Sequence, residues 1–544
     1  MSTARYAVGV DFGTESGRAL LFDVESGQDL ATSAVPYASG VIDHRLPDGG
    51  QRLPSDWALQ DPDDWIQVLN EAIPDVIRQA GVSAEEVGGL GIDFTSCTVL
   101  PTTGDGLPLC RIDRWRERPH AWPKLWKHHA AQPVADRLTE VAQERHEGFL
   151  ERYGGRISSE WYFPKLIQIW EEDREVYAAA ERFIEATDWI VWHLTGTECR
   201  QSATAGFKAM WSPEEGLPPT EYFEAAYPGF DRPGEKLGDR FVPLGTRAGT
   251  LRAAVAEQLG LPESVAVAVG NVDAWVSVPG AGVDSSGTFV IVIGTSICDM
   301  VVHPEEVRLP GITGVVRDGI LPGTYGYEAG QAAVGDMLAW FVEQLAGGGE
   351  DYQELERAAA ELAPGECGLV ALDWWNGNRS ILADADLSGV LFGLTLQTRR
   401  EHIYRALLES IAFGSRRIMD NFEEYGVELT QIVACGGIAE RSPLMMQLLA
   451  DTSGREVHVP ESSEIPARGA ALFGAVAAGM FADIATAIEA TRPKRMRRYV
   501  PDAEAGKSYE KVYAIYRRLY DMLGRDEVGL LRDLKQIRRQ QMRL

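Results

Sequence analysis

The apolar positions near the start of the chain fall into two runs separated by a polar turn. Tyr6, Val8 and Val10 alternate with small residues, and a second apolar run covers 18–22. A period of two marks a half-buried strand. The residues between the runs, Phe12-Gly13-Thr14-Glu15-Ser16-Gly17, predict a β-hairpin with a polar tip. Glycine lets the backbone approach a ligand, and hydroxyls and free N–H groups suit an anion. Asp11, where the first strand meets the tip, is placed to hold a hydrated Mg²⁺ beside a phosphate.

A lone hairpin of this kind is common. The pattern returns, however, at 288–302, TFVIVIGTSICDMVV, where Gly294-Thr295-Ser296 echoes Gly13-Thr14. Two such hairpins, one in each half, predict two related domains that offer phosphate-facing turns to a shared cleft. The boundary is expected near 281–286, giving domains of 1–282 and 283–544.

Between the hairpins, 33–57 is rich in Pro, Gly and Asp and predicts a loop. A helix follows to about Ala80, with Asp61 as N-cap and Pro62 in its first turn. Residues 87–100 predict strand, turn, strand, and the turn Asp93-Phe94-Thr95-Ser96 either reaches a ligand or is an ordinary tip. The stretch 111–152 predicts mostly helix, with Leu125-Trp126-Lys127-His128-His129 as a solvated face. Residues 202–208 predict a small-residue loop ending in Lys208, a ligand contact or a surface lysine. A strand at 265–269 leads to Asp273 beside a helix start, where α/β ligands bind and where N-caps also stand.

In the second half, the Gly-rich 321–335 carries one acid, Glu328, ahead of a helix from Asp336. A buried strand at 432–438 runs into Gly436-Gly437, a pair that lets backbone lie against a planar or phosphate-bearing ligand. Residues 467–481 predict a small-residue helix able to pack closely.

Length and charge narrow the function. At 544 residues the chain exceeds one ordinary core. A net charge of −28 opposes nucleic-acid and anionic-membrane binding. An anionic substrate such as ATP then needs a metal ion or backbone dipoles. The basic tail from Lys494 onward suits pairing with acidic surface, including that of a second copy in a homodimer. None of the six cysteines forms a C-x-x-C pair, so no zinc or redox motif is visible. Met1-Ser2-Thr3-Ala4-Arg5 leads straight into a strand, and no apolar stretch is long enough to span a bilayer. A soluble cytoplasmic protein is the expectation.

Longer motifs point to a family. They are GIDFTSCTVLP at 91–101, LWKHHAAQP at 125–133, GYEAGQAAVGD at 326–336, DWWNGNRS at 373–380 and IPARGAALFGAVAAG at 465–479. Together with the two hairpins they resemble the FGGY carbohydrate kinases, in the actin, Hsp70 and hexokinase ATPase superfamily. The resemblance covers nearly the whole chain. It implies an α/β fold of two ribonuclease-H-like domains with an interdomain cleft. It implies transfer of the γ-phosphoryl of ATP, with Mg²⁺, to the 5-hydroxyl of ribulose, a step of L-arabinose catabolism. Xylulose and ribitol kinases of the same family, and a nucleotide-driven binding protein like Hsp70 or actin, are the alternatives.

Roles follow from the same resemblance. Asp273 matches the catalytic base, and Asp11 the acid that orients Mg²⁺ through water. Gly13 and Thr14, and Gly294, Thr295 and Ser296, match the two phosphate loops. Gly335 matches a nucleotide contact, and Gly436 and Gly437 line the adenosine pocket. Arg441 stands there at the position of a family Asn, which puts a side-chain contact to adenine in doubt. Ser96, Lys208, Asp273 and Glu328 are the sugar contacts. Thr95-Ser96 replaces the Arg-Glu pair of glycerol-kinase-like relatives, which argues against glycerol.

Overall fold

The computed structural model describes residues 4–47, 49–346, 352–462, 464–525 and 529–542. Met1, Ser2, Thr3 and the tail's Arg543, which the sequence argument used, lie outside the described residues.

The first hairpin forms as its pattern predicts. β1 (Tyr6–Phe12) and β2 (Ser16–Asp23) pair antiparallel from Tyr6↔Asp23 to Phe12↔Gly17. Every residue of β1 is buried, so its period of two separates two covered faces. Val8, Val10 and Phe12 join an apolar core with Trp65, Leu69 and Ile73 of helix α1 (Pro62–Ala80). Asp61 caps α1 by accepting from the Asp63 N–H, and Gly81 ends it at φ 65°. β3 (Gln28–Pro36) adds an outer strand to β2, and so runs into the stretch from Ser33 where the pattern predicts a loop.

The other face of β1 is covered from far along the chain. β4 (Val87–Phe94) lies parallel to β1, with Gly9 opposite Gly91 and Asp11 opposite Asp93. The small-residue helix Ile465–Ala477 packs on both strands. A Cβ on Gly9 would stand 1.7 Å from the Ala467 carbonyl oxygen, and one on Gly91 1.8 Å from that of Ala470. Only bare glycine admits a helix this close. The sheet continues through Ala266–Ala268, parallel to β4, to the antiparallel strand Arg247–Thr250. The short strand Asn271–Val272 also pairs with β4, placing Asn271 beside Asp93.

A second sheet repeats this order. Its strands run Gly314–Arg317, Tyr325–Gln331, Ile297–His303, Thr288–Ile293, Gln431–Cys435, Val457–Pro460 and Met496–Tyr499. Thr288–Ile293 pairs antiparallel with Ile297–His303 and parallel with Gln431–Cys435, as β1 does with β2 and β4. The chain thus holds two α/β domains with mixed sheets of matching order.

The chain passes between its two compact units several times, where the sequence argument has a single boundary at 282/283. The first unit comprises 1–284, 316–326 and 464–493; the second comprises 285–315, 327–463 and 494–544. The helix Ile465–Ala477 therefore belongs to the first unit although it lies late in sequence.

Three local expectations are corrected. Val99–Thr102 does not fold back on β4 but pairs with Arg182–Glu185. Residues 202–208 are not a loop: Ser202–Ala209 is a helix whose first turn is capped by the Gln201 side chain. The 125–129 segment is neither helical nor a solvated face, since Leu125 and His128 are fully buried. Its polar atoms face inward because Ala58 N–H donates to His128 Nδ1 and Gln168 Oε1 lies 2.9 Å from Nε2. The basic tail does meet acidic surface as expected, Arg498 pairing with Glu456 and Arg532 with Asp384. Among the described residues no helix is long and apolar enough to cross a membrane.

Candidate active site

The carboxyl ends of β1, β4 and Asn271–Val272 lie side by side, and they carry acids. Asp11, Asp93 and Asn271 form one row across the three parallel strands. Arg18 of β2 stands opposite Asp11, with Nε 3.5 Å from its carboxylate, and also reaches Glu464 at 3.5 Å. Burial pushes the Asp11 carboxyl up, against the pull of Arg18. Burial pushes Asp93 up much further, and the charges of Asp11 and Asp273 add to the rise. No donor reaches either carboxylate oxygen of Asp93, nor any acceptor the Nδ2 of Asn271. The hydrogen bond open between the two carboxyls runs from a protonated Asp93 to Asp11, since Asp93 is the one pushed further up. Asp93 by itself is not marked by the local sequence pattern. Its signal was present in the register of two parallel strands, which only the pairing reveals.

The tip above Asp11 is held from three sides. Gly13 N–H donates to the Ser16 carbonyl at 2.9 Å, closing the turn. Tyr37 OH donates to the Gly13 carbonyl at 3.0 Å, and Gln60 Nε2 to the Thr14 carbonyl at 2.9 Å. Trp126 Nε1 donates to Thr14 Oγ1 at 3.1 Å. That bond occupies a hydroxyl lone pair and leaves the hydroxyl proton to donate outward. Trp126 is a contact that the sequence argument missed when it assigned 125–129 to solvent. Nearby, Lys124 is fully buried with Nζ 4.1 Å from the Trp57 ring centroid, and burial lowers its amine to about 7.

Asp273 opens the helix Asp273–Gly280 immediately after Asn271–Val272. It is half-buried, and its Oδ1 accepts from the Ala274 N–H at 2.7 Å. Ser277 Oγ donates to its carbonyl at 2.8 Å and fixes the first turn. Lys208 is buried at the end of the helix Ser202–Ala209, 5.8 Å from the Trp275 ring centroid. Its charge acts on Cys97, next to Ser96. Ser96 Oγ is buried with no hydrogen-bond partner. The first unit thus brings together Ser96, Lys208 and Asp273, along with Asp11, Gly13 and Thr14. Glu328 belongs to the second unit, on the strand Tyr325–Gln331, where its carbonyl accepts from the Thr313 N–H at 2.8 Å.

The second unit gathers the remaining candidates. Gly294 N–H donates to the Ser296 carbonyl at 2.9 Å, closing a turn one residue shorter than that at Gly13. Val334 N–H donates to the Thr295 carbonyl at 3.0 Å and Gly335 N–H to that of Gly294 at 3.2 Å. A Cβ on Gly335 would lie 2.7 Å from the Gly294 oxygen. Gly436 takes φ 92°, and a Cβ there would lie 2.6 Å from the Ile293 oxygen. Gly437 begins the helix Gly437–Arg441, whose last residue brings its guanidinium back over Gly437. Gly335 and Gly436 therefore both abut the tip hairpin of Gly294, Thr295 and Ser296, because neither has a side chain to hold it off.

Residues 6–280 match the N-terminal domain of the FGGY family of carbohydrate kinases, and 289–478 match its C-terminal domain. The chain belongs to this family. It is a carbohydrate kinase with the two-domain actin/Hsp70-like ATPase fold, and the reading as a chaperone or filament protein falls away. It is 48% identical over 551 residues to a protein named Ribulokinase from Halalkalibacterium halodurans, with 98% of each chain covered. A protein of that name from Mycolicibacterium smegmatis is 44% identical, covering 98% of this chain and 96% of its own. Among solved structures, xylulose kinase from Rhodospirillum rubrum superposes with a TM-score of 0.77 at 24% identity, covering 95% of this chain and 99% of its own. That likeness concerns the fold alone.

Proposed function

We propose that this kinase phosphorylates ribulose at its 5-hydroxyl, using ATP and yielding ribulose 5-phosphate, in the cytoplasm and within L-arabinose catabolism. The observation that carries the reading is the 48% identity, over nearly the full length of both chains, to proteins named Ribulokinase. In this reading Asp273 accepts the proton of the attacking hydroxyl. Phosphoryl transfer passes through a loose transition state, so position matters more for this base than a large pKa shift. Its attachment at a helix start, with the carboxylate tied to its own first turn, supports that position.

Ser96, Lys208 and Glu328 hold the sugar hydroxyls. Ser96 brings an unpartnered buried hydroxyl, which a sugar hydroxyl would satisfy. Thr14 with Gly13, and Thr295 with Gly294 and Ser296, hold the nucleotide's phosphates. Gly335, Gly436, Gly437 and Arg441 receive the rest of the nucleotide. Mg²⁺ fits the residues present: Asp11 offers hard carboxylate oxygens beside a second buried carboxylate that no donor reaches. Asp11 would hold it through water, where it would supply neutralisation of charge on the phosphate oxygens. The enzyme works as a homodimer in this reading, supported by exposed Arg517 and Arg518 on a chain of net charge −28. Sedimentation equilibrium showing a single-chain mass would remove that part.

The substrate is tested by a coupled ADP-release assay with L-ribulose, D-ribulose, D-xylulose, ribitol and glycerol. The expected result is the highest kcat/KM for a ribulose. A preference for xylulose, ribitol or glycerol overturns the reading.

A further inference from the structure

The charged row at the carboxyl end of the first sheet is not required by its architecture. In the second sheet Cys298, Val292 and Cys435 stand at the register where the first has Arg18, Asp11 and Asp93. A topology that closes over an apolar trio in one unit gains no stability from two adjacent carboxylates in the other. Like charges on neighbouring strands repel, and a buried carboxylate without a donor forfeits its hydration. Asp93 bears both costs, being fully buried with neither oxygen accepting a hydrogen bond. The ion pairs of Arg18 go to Asp11 and Glu464, and leave Asp93 without one. Asn271, on the other side, has an Nδ2 that finds no acceptor, so this row is unsatisfied at two adjacent positions. A buried polar row left open in this way fits a guest of opposite charge that carries its own water.

We propose that Asp93 is a second carboxylate for the divalent cation that accompanies the nucleotide, bracketing it with Asp11 across β1 and β4. The proposal rests on the kinase reading above. Paired carboxylates that share a face of two adjacent parallel strands are the donor set Mg²⁺ prefers. It binds through one or two carboxylates and fills its remaining positions with water and phosphate oxygens.

The test is a titration of the full chain with Mn²⁺ alone, followed by the electron paramagnetic resonance of the free ion. The parent is expected to bind one equivalent. Asp93→Asn and Asp11→Asn are each expected to weaken binding at least tenfold. Asp93→Asn, which keeps the shape and removes the repulsion, is expected to melt in EDTA no lower than the parent. Parent-like Mn²⁺ affinity in Asp93→Asn, with Asp11→Asn impaired, overturns the role of Asp93 and leaves the magnesium reading standing. No binding by the parent, or parent-like binding by Asp11→Asn, overturns both. Should Asp93→Asn fail to fold, crystals of the parent soaked in Mn²⁺ decide: an anomalous peak within one bridging water of both carboxylates supports the bracket, and a peak within that reach of Asp11 alone, or of neither, overturns it.

Discussion

The two sheets of this kinase share one strand order and differ at two rows. Where the first pairs Gly9 with Gly91, the second pairs Val290 with Val433; where the first pairs Asp11 with Asp93, the second pairs Val292 with Cys435. Order and register are therefore indifferent to what the rows carry. The glycine pair lets the helix Ile465–Ala477 come into backbone contact with the sheet. The acid pair gives one unit a charged end, while the matching end of the other presents neutral hydroxyls and backbone amides. Nucleotide phosphates are anions, so in the proposed reading a neutral loop of N–H donors suits them, and a row of carboxylates would call for a cation.

The largest effect is expected at Asp273, the proposed base. Asp273→Asn should lower kcat by about 10³-fold or more in an ADP-release assay, with ADP affinity unchanged by calorimetry. Turnover within tenfold of the parent would leave the acidic end without its base.

Exchanging the rows tests the packing half of the contrast. Gly9→Val gives the first sheet the residue of the second and drives side-chain carbons into the Ala467 carbonyl. It should cost more than about 3 kcal/mol, read as lost folded protein or a lower melting temperature. The reverse change, Val290→Gly, removes a fully buried side chain and should cost about 2–4 kcal/mol. Equal costs for the two would show that close helix contact is not what the glycines provide.

A smaller effect belongs to the tip. Trp126→Phe keeps the ring but removes the N–H that reaches Thr14 Oγ1. KM for ATP should rise about 2- to 10-fold with kcat nearly unchanged. No change would mean that the Thr14 hydroxyl is placed by its backbone alone.

The smallest effect compares buried acids of the two units by pH. Burial raises Asp188 in the first unit to about 7 and Asp373 in the second to about 6, both from 3.8. Each carboxyl therefore holds its proton more tightly folded than unfolded. Its stabilising contribution is whole below about 3.8 and is lost as pH rises through the folded value. The melting temperature of Asp188→Asn relative to the parent should climb with pH until about 7, and that of Asp373→Asn until about 6. A flat difference across pH 4–8 would show that these acids are not perturbed in the folded chain.

Both hairpins were legible because a period of two and a Gly-Thr tip are local signals. α1 was legible from Asp61 and Pro62 for the same reason. β3 was hidden since its outer face is open: Gln28, Leu30, Thr32 and Ala34 are exposed, so no apolar stripe marks a buried face. The helix Ser202–Ala209 was hidden because small residues without charge look like loop, and its cap is a glutamine. His128 and Trp126 lay in a polar-looking stretch whose partners, Gln168 and Thr14, are 40 and 112 residues away.

The sequence by itself determined the repeated hairpin, the placing of Asp11 and Asp273 at strand ends, and family membership through motifs spread over the chain. Such signals are written in neighbouring residues, where turn chemistry and periodicity act. Tertiary structure alone decided that Asp11 and Asp93 stand side by side, that a helix from position 465 completes the first unit, and that Trp126 holds Thr14. Register between distant strands and contact between distant segments are set by how the whole core packs, and no local pattern records them.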